Sequence, residues 1–418
     1  MKSCIIELCE EGCSLFEKLD EIKVFRDPIH SYVRVEYKII WDCINARELQ
    51  RLRRIRQLGG AFVVYHTAEH SRFSHSLGVY EIVRQLVTEN RMIHDALSEY
   101  DRLTVMLAGL LHDLGHGPYS HSFEAVTGVS HEEFTRRIIL EDSEIHRILA
   151  AGSLRLAQDV AAVIDKTHPN KVLSQLVSGQ LDADRMDYLL RDAYFTGTTY
   201  GEFDIARILR TIQIHDDKFT VKESGIHSVE DYIMARYHMY WQVYYHPTAR
   251  SHEAILHAMF RRYRELLENG HPSIFGPMDP FMTGKEISLE AHYLLDESCC
   301  NYGIGQFMYC DDPILADLAE RLVNRHLFEY LDVTSEEDVG QMQKKVEEAG
   351  LDARYYLLQD TASQQPYVPY HKNKEDFIYV LCPDKKVREL SKCSVIVSAL
   401  LSAEDKKDYK MYYPKELD

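Results

Sequence analysis

The sequence predicts a mostly α-helical protein with a small α+β lobe at its C-terminal end. Three observations carry that expectation. Val79, Ile82, Val83, Leu86 and Val87 recur at i, i+3, i+4, i+7 and i+8, the spacing of one apolar helix face. Leu103 to Leu111 is apolar all round, as a central buried helix would be. After Ser335 the character changes. A charged helix, "EEDVGQMQKKVEEAG", is followed by strand-like runs "ARYYLLQD", "DFIYVLC" and "CSVIVSALL".

The elements follow in order. Residues 1–22 read as an N-terminal extension whose short apolar piece is broken by acids, unlike a secretory leader. Cys4, Cys9 and Cys13 have roughly helical spacing, but no further ligand completes a metal set, so they read as reduced thiols. "KVFRDPIHSYVRVE" (Lys23–Glu36) alternates, with a Pro and β-branched residues, and predicts a hairpin. Lys38 to Leu58 predicts one or two helices. Ser130, three residues before Glu133, fits a capping box ahead of "FTRRIIL". Ser228 with Asp231 repeats the signal before a long helix through "DYIMARYHMYWQVYYHPTARSHEAILHAMFRRYREL", which Pro247 kinks or interrupts. The chain to about Asn269 is expected to be nearly all helix, with a further helical stretch at 312–328. "TASQQPYVPYHKNKED" is expected to be a loop. The expected domains are the extension, a helical core at 23–330 and the α+β lobe at 331–418.

Bulk properties exclude several classes. With 418 residues, 45% hydrophobic and 27% charged, the chain has an ordinary globular balance and room for more than one lobe. A net charge of -18 argues against a broad nucleic-acid or anionic-membrane surface. An anionic ligand must be met by a local basic pocket or by a metal. No apolar run approaches the roughly 20 residues that span a bilayer, so a cytoplasmic protein is expected. The nine cysteines include no CxxC pair.

The densest chemistry is "LLHDLGHGPYSHSFE" (Leu110–Glu124). His112 and Asp113 point about 100° apart in a regular helix, so one straight face cannot turn both to one ion. They are either half of a metal shell completed from elsewhere, or polar groups that satisfy a helix end. Gly115 and Gly117-Pro118 show that the helix ends or distorts here. Two distant segments offer further ligands. His75 lies in "EHSRFSHSLGV". Asp184 opens a helical stretch in "LDADRMDYLLRD", with Tyr188, Arg191 and Asp192 on about one face. Two imidazoles and two carboxylates suit a divalent ion such as Fe, Mn, Zn or Ni.

Ordered His…HD…D resembles the signature of the HD-domain phosphohydrolase superfamily. The resemblance is closer still. "DPIH", "LQRLRRIRQLGG", "HSRFSHSLGV", "HDLGHGPYSH" and "DADRMDYLLRD" stand in the order found in deoxynucleoside triphosphate triphosphohydrolases. The branch resembled is that of the SAM-and-HD-domain enzyme and its shorter bacterial relatives. The likeness spans roughly Lys23 to Phe328, and no SAM domain is expected before Lys23. It implies an HD-domain helical core and hydrolysis of a dNTP to deoxynucleoside and inorganic triphosphate. By the same resemblance His75, His112, Asp113 and Asp184 would hold a divalent metal (Fe, Mn, Zn, Ni or Mg). His116, His121 and His131 would face the phosphates and the leaving 5′-oxygen, with His121 as general acid oriented by Glu124, where the human relative has aspartate.

The resemblance also assigns binding residues. Arg72 and Arg185 would meet phosphates, Arg185 replacing a family lysine. Tyr188 and Asp192 would hold the sugar. Gln57 and Leu58 would pack close to C2′ and C3′, excluding a 2′-hydroxyl, and Tyr244 would stack on the same sugar. Arg236 and Tyr240 complete the set, since 236, 240 and 244 are spaced to share one helix face. Tyr240 replaces a histidine of the human enzyme. Tyrosines at such spacing are equally ordinary core aromatics. Lys23, Asn45, Gln50, Arg53 and Arg325 match positions that bind activating nucleotides between subunits of a homotetramer. Asn45 replaces an aspartate that reads guanine, and Glu329 replaces a lysine. Two other functions remain open at this stage: another HD-domain phosphohydrolase, acting as nucleotidase or cyclic-nucleotide phosphodiesterase, and a non-catalytic nucleotide sensor.

Overall fold

The computed structural model describes residues 15–128, 130–216, 218–284, 286–361, 377–402 and 408–418, without the side chains of His121 and Thr361. Cys4, Cys9, Cys13 and most of the expected loop at 361–376 lie outside the described residues.

The fold is mostly α. It opens with the expected hairpin, β1 (Lys18–Asp27) against β2 (Ser31–Tyr37), whose alternation buries Val33 and Val35. Two short helices follow, α1 (Lys38–Asn45) and α2 (Arg47–Arg51). Next come α3 (Arg72–Thr88), α4 (Arg91–Ala96) and α5 (Glu99–Leu111). Ser98 and Asp101 form a reciprocal capping box at the head of α5, and Val79, Ile82, Val83 and Leu86 of α3 are buried with Leu103, Leu107 and Leu110 of α5. Then come α6 (His121–Thr127), α7 (His131–Leu140), α8 (Glu144–Gly152), α9 (Leu154–Ile164), α10 (Lys171–Ser178), α11 (Ala183–Thr196) and α12 (Ile205–Thr211). Ser130 caps α7 as expected, its hydroxyl accepting from Glu133 N at 3.3 Å.

Several expectations need correction. The long helix is two helices, α13 (Ile226–Met239) and α14 (Pro247–Glu268), joined by a π-turn at Tyr240–Tyr244. Pro247 sits at the start of α14, where its missing N–H is harmless. Ser228 is not a cap: α13 begins at Ile226, and Ser228 is buried inside it. The region to Asn269 also contains a hairpin, β3 (Ile212–His215) with β4 (Lys218–Lys222). Its alternating Ile212, Ile214, Phe219 and Val221 were the overlooked signal.

The C-terminal strand expectations hold in part. β5 (Glu329–Asp332), β6 (Leu358–Thr361) and β9 (Tyr409–Tyr413) form one sheet in the order β5-β9-β6. β7 (Tyr379–Leu381) and β8 (Val387–Glu389) extend the β3–β4 hairpin, with β7 parallel to β4. "ARYY" is one helical turn before β6, and "CSVIVSALL" folds as the helix Val395–Ser402, not a strand. A short apolar run does not distinguish strand from helix by periodicity. Two apolar clusters result, one around α3, α5 and α11, the other around α14.

Candidate active site

α5 ends at Leu111 and His112 is its C-cap, so the chain can turn Asp113 inward beside it. His75 lies in the first turn of α3 and Asp184 in the first turn of α11. The three segments meet. His75 Nε2 is 3.1 Å and His112 Nε2 is 3.8 Å from Asp184 Oδ1. One ligand atom from each of His75, His112 and Asp184 lies within 4.8 Å of the others. Asp113 stands beside this cluster, with Oδ1 3.3 Å from His112 Nε2 and Oδ2 3.8 Å from His75 Nε2.

The rings are turned by their other nitrogens. His112 Nδ1 faces the Gly109 carbonyl at 2.9 Å, and His75 Nδ1 faces Asp187 Oδ2 at 2.8 Å. With a cation at the centre each Nδ1 would carry the proton and each Nε2 would turn its lone pair to the ion. His112 Nε2 is buried without a hydrogen-bond partner among the described residues. A buried orphan lone pair facing a carboxylate fits a divalent cation, which would be held by His75, His112 and Asp184, with Asp113 beside them.

Behind the cluster lies a network that sequence reasoning missed. Asp187 is fully buried and also meets His30 Nε2 at 2.6 Å and Arg191 Nε at 2.8 Å. Arg191 reaches on to Asp27 at 2.9 Å. Burial works against the Asp187 charge, yet Arg191, His30 and His75 hold the carboxyl well below its usual range. Arg191 therefore points away from the face shared by Asp184, Tyr188 and Asp192. Gly78 makes this packing possible: a Cβ there would lie 1.8 Å from Asp187 Oδ1. The signals were present in "DPIH" and in the Asp187/Arg191 i, i+4 pair.

Beyond the cluster the chain is bent. Tyr119 and Ser120 both adopt positive φ, 55° and 50°, a conformation disfavoured for residues with a Cβ. Arg72 holds this bend, donating from Nε and Nη2 to the Ser120 hydroxyl at 3.0 and 2.8 Å, while its Nη1 pairs with Asp113. His116 Nε2 is 3.4 Å from Asp113 Oδ1, and its ring stacks on His131 at 3.9 Å. Burial and the Arg72 cation hold His116 well below the usual histidine range, so it is neutral near pH 7. Glu124 Oε1 accepts from the His131 backbone at 2.6 Å and faces His131 Nδ1 at 2.8 Å. The structure thus pairs Glu124 with His131. His121 heads α6, and its side chain lies outside the described residues.

A cavity of about 680 Å³ opens on the cluster. Its wall joins Asp113, Asp184, Arg72, His116 and His131 to Gln57, Leu58, Tyr188, Asp192, Tyr240 and Tyr244. Asp192 is fixed from two sides: the Tyr244 hydroxyl donates to Oδ2 at 2.7 Å, and His70 Nε2 meets Oδ1 at 2.7 Å. His70, stacked on Phe195, is a second residue that sequence reasoning missed. Arg185 and Arg236 stand off this wall. Arg185 is bound back to Asp182 and the Gly179 carbonyl, and Arg236 Nη1 donates to Gln180 Oε1 at 3.2 Å. Tyr240 and Tyr244 share the wall across the π-turn, whereas Arg236, one regular turn before Tyr240, is held off it by its bond to Gln180.

The expected regulatory residues lie elsewhere. Lys23 pairs with Glu21 on exposed β1, Asn45 donates to the Trp41 carbonyl, and Gln50 donates to the Ile44 carbonyl and accepts from Arg53. Arg325 donates to the Val63 carbonyl and lines a separate groove with Thr248, Arg321 and Glu329. Among the described residues no helix is long and apolar enough to cross a membrane.

A buried two-histidine, carboxylate-rich cluster on helix ends is the arrangement that an HD motif builds, and residues 72–192 match the HD domain while 203–279 match the HD associated region. The chain belongs to the HD-domain phosphohydrolase superfamily, whose HD domains bind divalent metals. Among its relatives is the uncharacterized protein YwfO of Bacillus subtilis, 47% identical over 96% of this chain and 94% of that protein. The deoxynucleoside triphosphate triphosphohydrolase SAMHD1 of Gallus gallus is 25% identical over 79% of this chain, a match that spans 58% of the chicken protein. The crystal structure of a phosphohydrolase from Bacteroides thetaiotaomicron superposes with a TM-score of 0.84 at 30% identity, covering 94% of this chain and all of that one. Membership supports a metal-dependent phosphohydrolase activity.

Proposed function

We propose that this protein hydrolyses deoxynucleoside triphosphates to deoxynucleoside and inorganic triphosphate. The observation that carries the reading is a cavity in which Asp184 of the histidine–carboxylate cluster, with Asp113, His116 and His131, shares a wall with Gln57, Leu58, Tyr188, Asp192 and Tyr244. The cluster alone would suit any phosphohydrolase. The rest of the wall has the size and polarity of a pentose site. The relative named a deoxynucleoside triphosphate triphosphohydrolase adds support.

When bound, a divalent ion would supply a Lewis acid for the α-phosphate and a water acidified toward neutrality. The chain's own groups do the rest. Arg72, already beside Asp113, would bind phosphate oxygens, and neutral His116 would donate its ring N–H to the same chain of phosphates. Arg185 and Arg236 would swing to the phosphate tail. His121 would give a proton to the leaving 5′-oxygen, with Glu124 and His131 as its polar surroundings. Asp192, held by His70 and Tyr244, would accept from the 3′-hydroxyl. Leu58 and Tyr244 would close on C2′ and leave no partner for a 2′-hydroxyl, the arrangement that disfavours a ribonucleotide. A homotetramer with an activating nucleotide at Lys23, Asn45, Gln50, Arg53 and Arg325 belongs to the same proposal.

The test is to incubate purified protein with each dNTP and its ribonucleotide, with Mn or Mg and with a second nucleotide as activator. Deoxynucleoside and intact triphosphate should form, with ribonucleotides far slower. Pyrophosphate or orthophosphate as first product would show the wrong reaction. Equal ribonucleotide turnover would show that the Leu58/Tyr244 gate is misread.

A further inference from the structure

The cavity wall continues beyond the residues assigned to phosphate and sugar. Ala249, Glu253 and His257 of α14 line it at i, i+4 and i+8, one helix face about 12 Å long. Gly59, Gly60 and Ser122 adjoin this face on the same wall. Gly60 is required there, since a Cβ would sit 3.3 Å from Glu253 Cγ and 2.9 Å from His252 Nδ1. Nothing in the proposed phosphate and sugar contacts uses this end.

Its chemistry has one sign. His257 bonds the Ser122 backbone with one nitrogen, and its Nε2 is buried without a partner among the described residues. Burial holds this ring below the usual histidine range, so it stays neutral and Nε2 is an acceptor. Gln57 Oε1, on the same wall, is also buried without a partner. Glu253 meets the Ser122 hydroxyl and the Gly60 backbone, which leaves carboxyl lone pairs over. Burial and the Asp360 charge push Glu253 up to about 7, so the ionised form above that pH only accepts, while the protonated form keeps one accepting oxygen and gains an O–H donor. The pocket end therefore offers acceptors that want N–H donors.

We propose that Glu253 and His257 form a nucleobase subsite that takes the exocyclic amino group of a base and so selects cytosine over uracil. The two acceptors, one helical turn apart, would each receive one amino hydrogen. Uracil puts a carbonyl oxygen at that place, where its lone pairs would face that of His257 Nε2 and, above about pH 7, those of ionised Glu253. The proposal rests on the triphosphohydrolase reading, because it takes the metal end as the phosphate end.

dCTP and dUTP differ only at this edge, so they are the probes. Measured with the full-length protein, kcat/KM should favour dCTP by about tenfold, the size of one well-made buried hydrogen bond. Glu253→Gln brings an amide that donates to the uracil oxygen and should bring the ratio to about one or below. His257→Gln is the second variant, with circular dichroism and metal content as folding controls. Equal wild-type rates, or a preference that survives both substitutions, would overturn the subsite. The same comparison by binding of the non-hydrolysable α,β-imido analogues separates the two readings. Base-selective binding without turnover would leave the subsite standing and sink the reaction. Binding and turnover without base preference would sink the subsite alone. Neither binding nor turnover would sink both.

Discussion

His112 and His75 each present one lone pair because the opposite nitrogen is tied, to the Gly109 carbonyl in one case and to Asp187 in the other. Asp187 does not line the substrate-sized cavity and acts through His75. Asp187→Asn should therefore lower metal affinity about 10–100-fold, read by titration against a chelator. Unchanged affinity would show that the ring needs no such support. His121→Ala should remove turnover by about 100-fold or more while metal content stays at the wild-type level. If His131→Ala is the inactive variant and His121→Ala is active, the acid is the histidine that Glu124 is seen to hold. The meeting of His75, His112 and Asp184 was legible, because an apolar run ending in HD raises the question and two distant segments offered the other ligands. Asp187, His30 and His70 were not. A buried polar partner and a solvated surface residue look alike until it is known which face of α11 turns inward.

Elements bring these residues to one point by close approach. α3 and α11 pack where Gly78 has no Cβ, with Asp187 and Arg191 filling the space. Gly78→Ala should destabilise the fold by about 1–3 kcal/mol through overpacking, and should also lower metal content, since Asp187 is the group displaced. Loss of stability with full metal binding would mean that the helices shift as a unit. Helices with sustained 3.6-residue periodicity, such as α3 and α5, could be read from the sequence with their caps. The π-turn at Tyr240–Tyr244 could not, because its aromatic run continues the helical pattern, while its i+5 bond is set by how Tyr244 reaches Asp192. The helix Val395–Ser402 was misread for the opposite reason: Val395, Ile396 and Val397 are β-branched, and β-branched runs resemble strands.

On the whole-molecule scale the residues after 331 are not packed on one side. β7 and β8 join the sheet of β3 and β4, whereas β6 and β9 lie over α14. Arg250 ties α14 to one end of the β6–β9 pair, with Nε 2.6 Å from Asp360 Oδ2 and Nη1 on Asp408, which also meets Lys410. Arg250→Ala would leave Asp360 without its cation and Asp408 with Lys410 alone. A stability loss of about 2 kcal/mol is expected, discounted from a fully buried pair because Asp360 is partly exposed. Chemical denaturation would check it, and wild-type stability would mean that Lys410 suffices. A chain of net charge -18 that binds a polyanion must concentrate its cations, and Arg72 lies within the cluster of carboxylates. The order of long-range pairings, such as β4 with β7, had no local signature to read, because parallel neighbours far apart in sequence share no turn.

In the proposed reaction, water attacks the α-phosphorus beside His75, His112 and Asp184 and the bond to the 5′-oxygen breaks. Hydrolysis of a dNTP in ¹⁸O-water, followed by mass spectrometry of both products, tests this most directly. One label in the inorganic triphosphate and none in the deoxynucleoside is the predicted result. Label in the deoxynucleoside, or in orthophosphate or pyrophosphate as first product, would contradict it.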